Sequence, residues 1–437
     1  MKHYLSILPC PCGAEHRAAV EDLVIGKGAL QQLPGLVKKY GTSRPFLLAD
    51  KNTFAAGGSR VCALLEEAGI PWSSYIFPQT SPEPDEASVG SAVMHFDHRC
   101  DLVIGIGSGV INDIGKLLSH IRGCRYIIVA TAPSMDGYAS ATSSMSMDGL
   151  KVSLNSRCAD GIIGDTDILK TAPDHMLRSG LGDMLAKYVS IAEWRIAHLI
   201  TGEYYCPQVA QLIRGAVKKC VDNAPGLLRR EDAALGAVFE GLVIGGIAMA
   251  YAGVSRPASG VEHYFSHVWD MRGLEFGTPV DLHGIQCAMG TRLAVRLYDA
   301  VRAREPDWDT ALAWPRSFDR EAWNETLRSF LGPGAEAMIA QEEKDGKYDP
   351  AKHPARLLRI RENWDSLLKI LEEELPSAEA LDGLMRSVGL PLELEYLGID
   401  KEQLRLTFQA TRDIRDKYVL SRLAWDLGIT ERLCQLL

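Results

Sequence analysis

Two histidines four residues apart, His263 and His267, end the segment Ser255-Arg-Pro-Ala-Ser-Gly-Val-Glu-His263-Tyr-Phe-Ser-His267, and a third, His283, follows sixteen residues on. Spacing i, i+4 puts two imidazoles on one face of a helix. H-x-x-x-H without the glutamate of a zinc protease is only moderately specific, so two readings stand: ordinary helical histidines, or part of a metal site. Asp183, closing a Gly-Leu-Gly-Asp segment read as the opening of a helix, adds an oxygen donor. Three such ligands with one open position make a catalytic divalent site, where the ion acts as a Lewis acid on a bound oxygen. Asp and two His suit zinc, nickel or iron.

A second chemical stretch lies upstream. Asp101-Leu-Val-Ile-Gly-Ile-Gly-Ser-Gly-Val-Ile-Asn-Asp-Ile-Gly-Lys116 runs from an apolar strand pattern through Gly105, Gly107 and Gly109 into a helical pattern. Glycines there are expected to take positive φ and admit a ligand close to the backbone, while the N–H groups opening the helix favour a pyrophosphate. G-x-G-x-G is not the G-x-G-x-x-G fingerprint, and a purely structural turn is an equal alternative. Asp50 closes another apolar strand, as either a ribose acceptor or a helix cap. Thr131-Ala-Pro-Ser134-Met-Asp136-Gly-Tyr-Ala-Ser140 follows a third, crowded with hydroxyls and a carboxylate. A dinucleotide and a metal in one enzyme suggest hydride transfer at a carbonyl or alcohol.

The elements that must position these groups alternate between residues 20 and 165. Short Val- and Ile-rich runs near 24–25, 45–49, 74–77, 101–106 and 126–131 are separated by helical patterns near 29–39, 61–65, 85–98 and 109–121. That pattern predicts βαβ units and a parallel sheet with ligands beyond the carboxyl ends of its strands. After Gly161-Ile-Ile-Gly-Asp165 the spacing turns helical. The expected organisation is therefore an α/β dinucleotide-binding domain over 1–170 and a helical metal- and substrate-binding domain over 171–437. Helices are predicted over 233–252, 285–300, 356–374 and 404–427.

With 437 residues and a formal charge of −9, the chain can bury a large core and offers no broad attraction to nucleic acid or acidic membranes. No run of about 18 apolar residues and no signal-like core in Met1–Pro9 are seen, so no membrane span and a cytoplasmic location are expected. Ten scattered cysteines fit thiols in a reducing compartment. Cys10-Pro-Cys12-Gly-Ala-Glu-His16 presents three soft metal ligands without a fourth nearby in sequence, or else a plain N-terminal turn.

The Gly-Ile-Gly-Ser-Gly-Val-Ile-Asn-Asp113, Thr-Ala-Pro-Ser-Met-Asp136-Gly-Tyr-Ala-Ser140, Gly-Leu-Gly-Asp183, Arg-Pro-Ala-Ser-Gly-Val-Glu-His263 and His283-Gly-Ile-Gln segments, in this order over roughly 20–300, resemble the iron-containing alcohol dehydrogenase and dehydroquinate synthase superfamily. The resemblance implies a Rossmann-like α/β N-terminal domain, an all-α C-terminal domain and interconversion of dihydroxyacetone phosphate and sn-glycerol 1-phosphate with NAD or NADP. Glycerol dehydrogenase and a dehydroquinate synthase-like lyase are the alternatives. It further implies one divalent ion on Asp183, His263 and His283, with zinc placed first, and Asp136, Asp183 and His267 facing substrate as catalytic groups. Asp50, Gly107, Ser108, Gly109, Val110, Ile111, Asn112, Asp113, Thr131, Ser134 and Ser140 would hold the dinucleotide. Val110 departs from relatives that carry a small hydroxyl residue there. A small phosphorylated substrate and a homodimer complete the expectation.

Overall fold

Near-continuous apolar runs such as Pro45-Phe-Leu-Leu-Ala-Asp50 and Leu102-Val-Ile-Gly-Ile-Gly107 lack the alternation of a half-exposed strand, which is how a parallel sheet covered on both faces reads. The computed structural model describes residues 5–7, 9–147 and 150–437, and both runs are buried along their whole length. Part of the Met1–Pro9 stretch read for a signal core lies outside the described residues. The chain divides into two compact units, Met1–Met184 with Pro207–Ser255, and Leu185–Cys206 with Arg256–Leu437.

The first unit holds a six-stranded parallel sheet. Its strands are β1 (Asp22–Gly26), β2 (Pro45–Asp50), β3 (Ser73–Phe77), β4 (Leu102–Gly107), β5 (Arg125–Ala130) and, after a hairpin of β6 (Thr142–Met147) and β7 (Leu150–Asn155), β8 (Gly161–Asp165). The order is β1-β8-β5-β4-β2-β3. From β2 the chain goes to β3 on one side, whereas from β4 it goes to β5 on the other. The direction reverses between β2 and β4, and it is beyond such a reversal that parallel sheets leave a ligand crevice. Asp50 and Gly107 end those two strands.

Helices α1 (Leu33–Lys39), α2 (Ser59–Glu67), α3 (Glu86–Met94) and α4 (Gly109–Arg122) connect the strands. Helix α4 buries Ile111, Ile114 and Leu118 and stops at Gly123, whose φ of 65° is a left-handed conformation that suits glycine. Helix α5 (Asp174–Leu185) ends this part of the unit, and α6 (Lys187–Thr201) starts the other. The chain then returns to the first unit with α7 (Pro207–Asn223) and α8 (Asp232–Ala252). A single boundary near 170 therefore does not describe the packing. Helix α8 comes back because it is apolar over most of its surface and fits the sheet: a Cβ on Gly164 of β8 would lie 2.3 Å from the Phe239 ring. It is long and apolar enough to cross a bilayer, yet 72% of its most apolar window is buried within the protein.

The second unit is helical, with α6, α9 (Val261–Phe276) and α10 (His283–Arg302) at its centre. Helices α9 and α10 approach closely because Gly290 has no side chain; a Cβ there would sit 2.5 Å from the Glu262 carbonyl oxygen. Later helices bring Trp323, Leu327, Phe330, Met338 and Trp425 into a core with Val268 of α9. The segment beyond 300 thus packs behind the histidine helix. Two predicted helices are each broken. The apolar stripe over 356–374 is split at Asn363 into His353–Glu362 and Trp364–Glu374. The 404–427 pattern becomes Lys401–Ala410 and Leu420–Asp426, whose buried intervening residues include Arg412 and Asp413.

Candidate functional site

In the first unit the glycine turn lies where the strand pattern places it, but its glycines act differently from the expectation. None of Gly105, Gly107 and Gly109 has positive φ. What they supply is room: a Cβ on Gly105 would meet the Tyr126 hydroxyl at 2.5 Å, and one on Gly107 would meet Cβ of Ile111 at 2.5 Å. The turn is therefore drawn tightly onto the sheet and α4. Ser108 caps α4 without a side-chain hydrogen bond, so the N–H groups of Gly109, Val110 and Ile111 open the helix beyond the β4 end.

The side chains expected to hold the dinucleotide fall into two groups. Ser108, Gly109 and Val110 are half-exposed around the turn, and Thr131 and Ser134 lie beside it. The Thr131 amide donates to Gly107 O at 3.0 Å, and the Ser134 and Ser108 hydroxyls are 3.5 Å apart. In contrast, Ile111 is buried, Asn112 donates to Gly137 O at 3.1 Å, and Asp113 pairs with the buried Lys116 at 2.9 Å. Lys116 also donates to Ser140 Oγ at 3.0 Å and Gly137 O at 3.2 Å. These side chains bind α4 to the 131–140 loop. Asp50 caps the next turn, accepting from Thr53 N at 2.8 Å through Oδ1. A carboxylate has two oxygens, so capping and ribose binding are compatible.

The Gly-Leu-Gly-Asp183 segment is not a helix-opening turn. It lies inside α5, and its upstream neighbours explain the small residues. A Cβ on Gly180 would lie 1.8 Å from Pro133 O, so the loop carrying Ser134 and Asp136 rests directly on the helix. Ser179 donates to Ser134 O at 2.9 Å, and Asp136 N donates to the buried Asp183 Oδ2 at 2.9 Å. The two carboxylates expected near substrate are thereby held in one first-unit cluster.

In the second unit the three histidines do converge. His263 and His283, from adjoining helices, have ring centroids 5.0 Å apart, and His267 stacks near His283 at 6.1 Å. His263 Nδ1 lies 2.9 Å from Glu262 Oε1, and His283 Nδ1 lies 3.0 Å from Ser266 Oγ. Nδ1 is engaged in each ring, and imidazoles held in this way are oriented as a hydrogen-bond partner on one ring nitrogen orients metal-binding ones. Cys287, one turn beyond His283, brings Sγ to 3.5 Å from His283 Nε2, and His263, His283 and Cys287 offer donor atoms within 4.8 Å of one another. Burial pushes the Cys287 thiol up, but the two histidines outweigh it and hold the thiol below its ordinary range. Sequence reasoning missed Cys287, although His283-Gly-Ile-Gln-Cys287 carries the same i, i+4 signal as the histidine pair.

Glu193 of α6, also missed, stabilises the start of α9. It accepts from Val261 N and Leu420 N, each at 2.8 Å, and from the Tyr298 hydroxyl at 2.9 Å. Burial, and then the charge of Glu262, raise its carboxyl to about 8. Arg256, the basic residue within the Ser255–His267 segment, is committed elsewhere. Its guanidinium grips Glu203 at 2.7 and 2.6 Å and donates to Tyr418 O at 3.0 Å.

The arrangement can be set beside known proteins. Residues 24–173 match the family model of iron-containing alcohol dehydrogenases. The chain is 32% identical over 293 residues to the glycerol-1-phosphate dehydrogenase [NAD(P)+] of Halalkalibacterium halodurans, covering 66% of this chain and 73% of that one. It is 28% identical over 410 residues to that of Geobacillus stearothermophilus, covering 93% and 92%. Among solved structures, the glycerol dehydrogenase of Schizosaccharomyces pombe superposes with a TM-score of 0.62 at 18% identity, over 95% of this chain and 90% of that one. An iron-containing alcohol dehydrogenase from Thermococcus thioreducens gives 0.62 at 16%, over 96% and 99%. Fold and site together define an oxidoreductase of the iron-containing alcohol dehydrogenase type, with a parallel α/β N-terminal part and an all-α C-terminal part. Within that class the chain belongs to the glycerol-1-phosphate dehydrogenase family.

Proposed function

We propose that this chain catalyses the reversible NAD(P)-dependent reduction of dihydroxyacetone phosphate to sn-glycerol 1-phosphate, as a cytoplasmic homodimer. The name shared by its relatives supports the reaction, and ten cysteines that are all thiols fit the compartment. The observation that carries the reading is the histidine cluster, where Glu262 and Ser266 orient two neighbouring imidazoles.

Asp183, His263 and His283 are the proposed holders of one divalent ion, zinc first, with nickel or iron as alternatives. When bound, that ion supplies Lewis-acid polarisation of the substrate carbonyl. His267 gives a proton to the carbonyl oxygen as hydride arrives at carbon, and Asp136 and Asp183 orient the substrate's free hydroxyl. The N–H groups opening α4 take the dinucleotide pyrophosphate, with Ser108, Thr131 and Ser134 beside them and Asp50 on the ribose. Gly107, Ile111, Asn112, Asp113 and Ser140 shape that turn. The lyase alternative needs several basic groups for a polyanion, and Arg256 is occupied by Glu203.

A steady-state assay of metal-loaded protein tests this. Dihydroxyacetone phosphate should oxidise NADH or NADPH in stoichiometric amount, and dihydroxyacetone should be turned over far more slowly. Equal rates with the two substrates would turn the assignment to glycerol dehydrogenase. No coenzyme oxidation with any divalent ion would remove the activity altogether.

A further inference from the structure

Outside this site, three soft donors meet at the N-terminal arm. Cys10 and Cys12 bring their sulfurs to 3.2 Å, and Cys12 Sγ is 3.2 Å from His16 Nε2. All three donor atoms lie within 4.8 Å of one another. In a tetrahedral zinc site with bonds of about 2.3 Å, ligand atoms are separated by about 3.8 Å, so this cluster needs only a slight opening to admit the ion.

The backbone is shaped for it. Gly13, with φ of 82°, turns the chain after Cys12, and its N–H donates to Cys10 O at 3.0 Å. The chain then runs back as His16–Arg17, antiparallel to Ser6–Ile7, with Ile7 opposite His16. Cys10 and His16 are buried, and the His16 ring packs on Tyr251 of α8 with centroids 5.2 Å apart. Two strands of two residues have almost no stability of their own. An ion closing the Cys10–His16 loop would add binding energy directly to folding.

We propose that Cys10, Cys12 and His16 form a structural zinc site, separate from the catalytic one, that staples the N-terminal arm to the first unit. Its fourth position is taken by a further side chain or by water.

The test uses the full chain, purified under reducing conditions and loaded with cobalt(II), whose thiolate charge-transfer absorption reports sulfur ligation. A Cys287→Ser background removes the thiol beside His283 and Asp183→Asn weakens the catalytic ion. The cobalt–thiolate band is expected to persist in both. It should disappear in Cys10→Ser and Cys12→Ser, with one equivalent of metal lost and the far-ultraviolet circular dichroism unchanged. If Cys12→Ser does not fold, Cys12→His keeps a ligand there, and the band should fall to about half. In a scan of all ten cysteines, loss at one further position identifies the fourth ligand. A band unaffected by Cys10→Ser and Cys12→Ser, or a Cys10–Cys12 disulfide in the reduced protein, would overturn the proposal.

Discussion

His263 Nδ1 lies 2.9 Å from a carboxylate oxygen of its own sequence neighbour, Glu262, and the same oxygen accepts from Gly260 N at 2.7 Å. One buried carboxylate therefore sets the ring's tautomer and also anchors the first turn of α9. Replacing it with an amide keeps the size but leaves a weaker acceptor. Glu262→Gln should weaken metal affinity by about 10–100-fold with the fold retained, as read by competitive chelator titration. Unchanged affinity would mean that Glu262 serves only the helix start.

Gly180→Ala would bring a methyl group to 1.8 Å from Pro133 O. The 131–140 loop must move, at a cost of about 1–3 kcal/mol. NADH affinity should fall with stability, because Thr131 and Ser134 shift with the backbone. Gly215→Ala in α7 meets nothing within 4 Å and serves as the control; it should raise stability by about 0.5–1 kcal/mol.

Asp113 and Ser140 test whether a residue near the turn serves the coenzyme or the scaffold. Both are held by Lys116, whose ammonium is fully buried. Lys116→Met should cost about 3 kcal/mol by removing a buried ammonium's ion pair to Asp113 and its hydrogen bonds to Ser140 Oγ and Gly137 O. Asp113→Asn and Ser140→Ala should lower the melting temperature while changing the NADH dissociation constant less than twofold. A large change in that constant with stability unaltered would give them a direct coenzyme contact.

Glu193 makes a prediction about pH. Its carboxyl is raised from 4.5 to about 8 by burial and then by Glu262, so the folded state holds a proton that the unfolded chain has released. That contribution is complete below about pH 4.5 and is lost as pH rises toward 8. Glu193→Gln cannot titrate, so the melting temperature of the natural chain should fall relative to the variant across this window. A difference independent of pH would show that Glu193 does not bind that proton.

The parallel sheet was legible in the sequence because strands buried on both faces must be apolar throughout, and the turn after β4 because only glycine tolerates Tyr126 and Ile111 so close. The i, i+4 spacing of His263 and His267 needed only a helix to put both on one face. Other features depend on contacts between distant residues, which local pattern does not encode. Asp183, in the last turn of α5, meets Asp136 N because Gly180 clears Pro133 O, and Cys287 joins His263 because Gly290 lets α10 approach Glu262 O. The apolar stripe over 356–374 continues through Asn363, so its periodicity did not register the break. Helix α8, apolar over most of its length, carried no sign of its place; the gap at Gly164 that accepts Phe239 decided that it packs on the sheet. The sequence by itself determined which residues could ligate, cap or bend. The tertiary structure alone decided which of them meet, because meeting depends on the atoms that side chains many residues away leave room for.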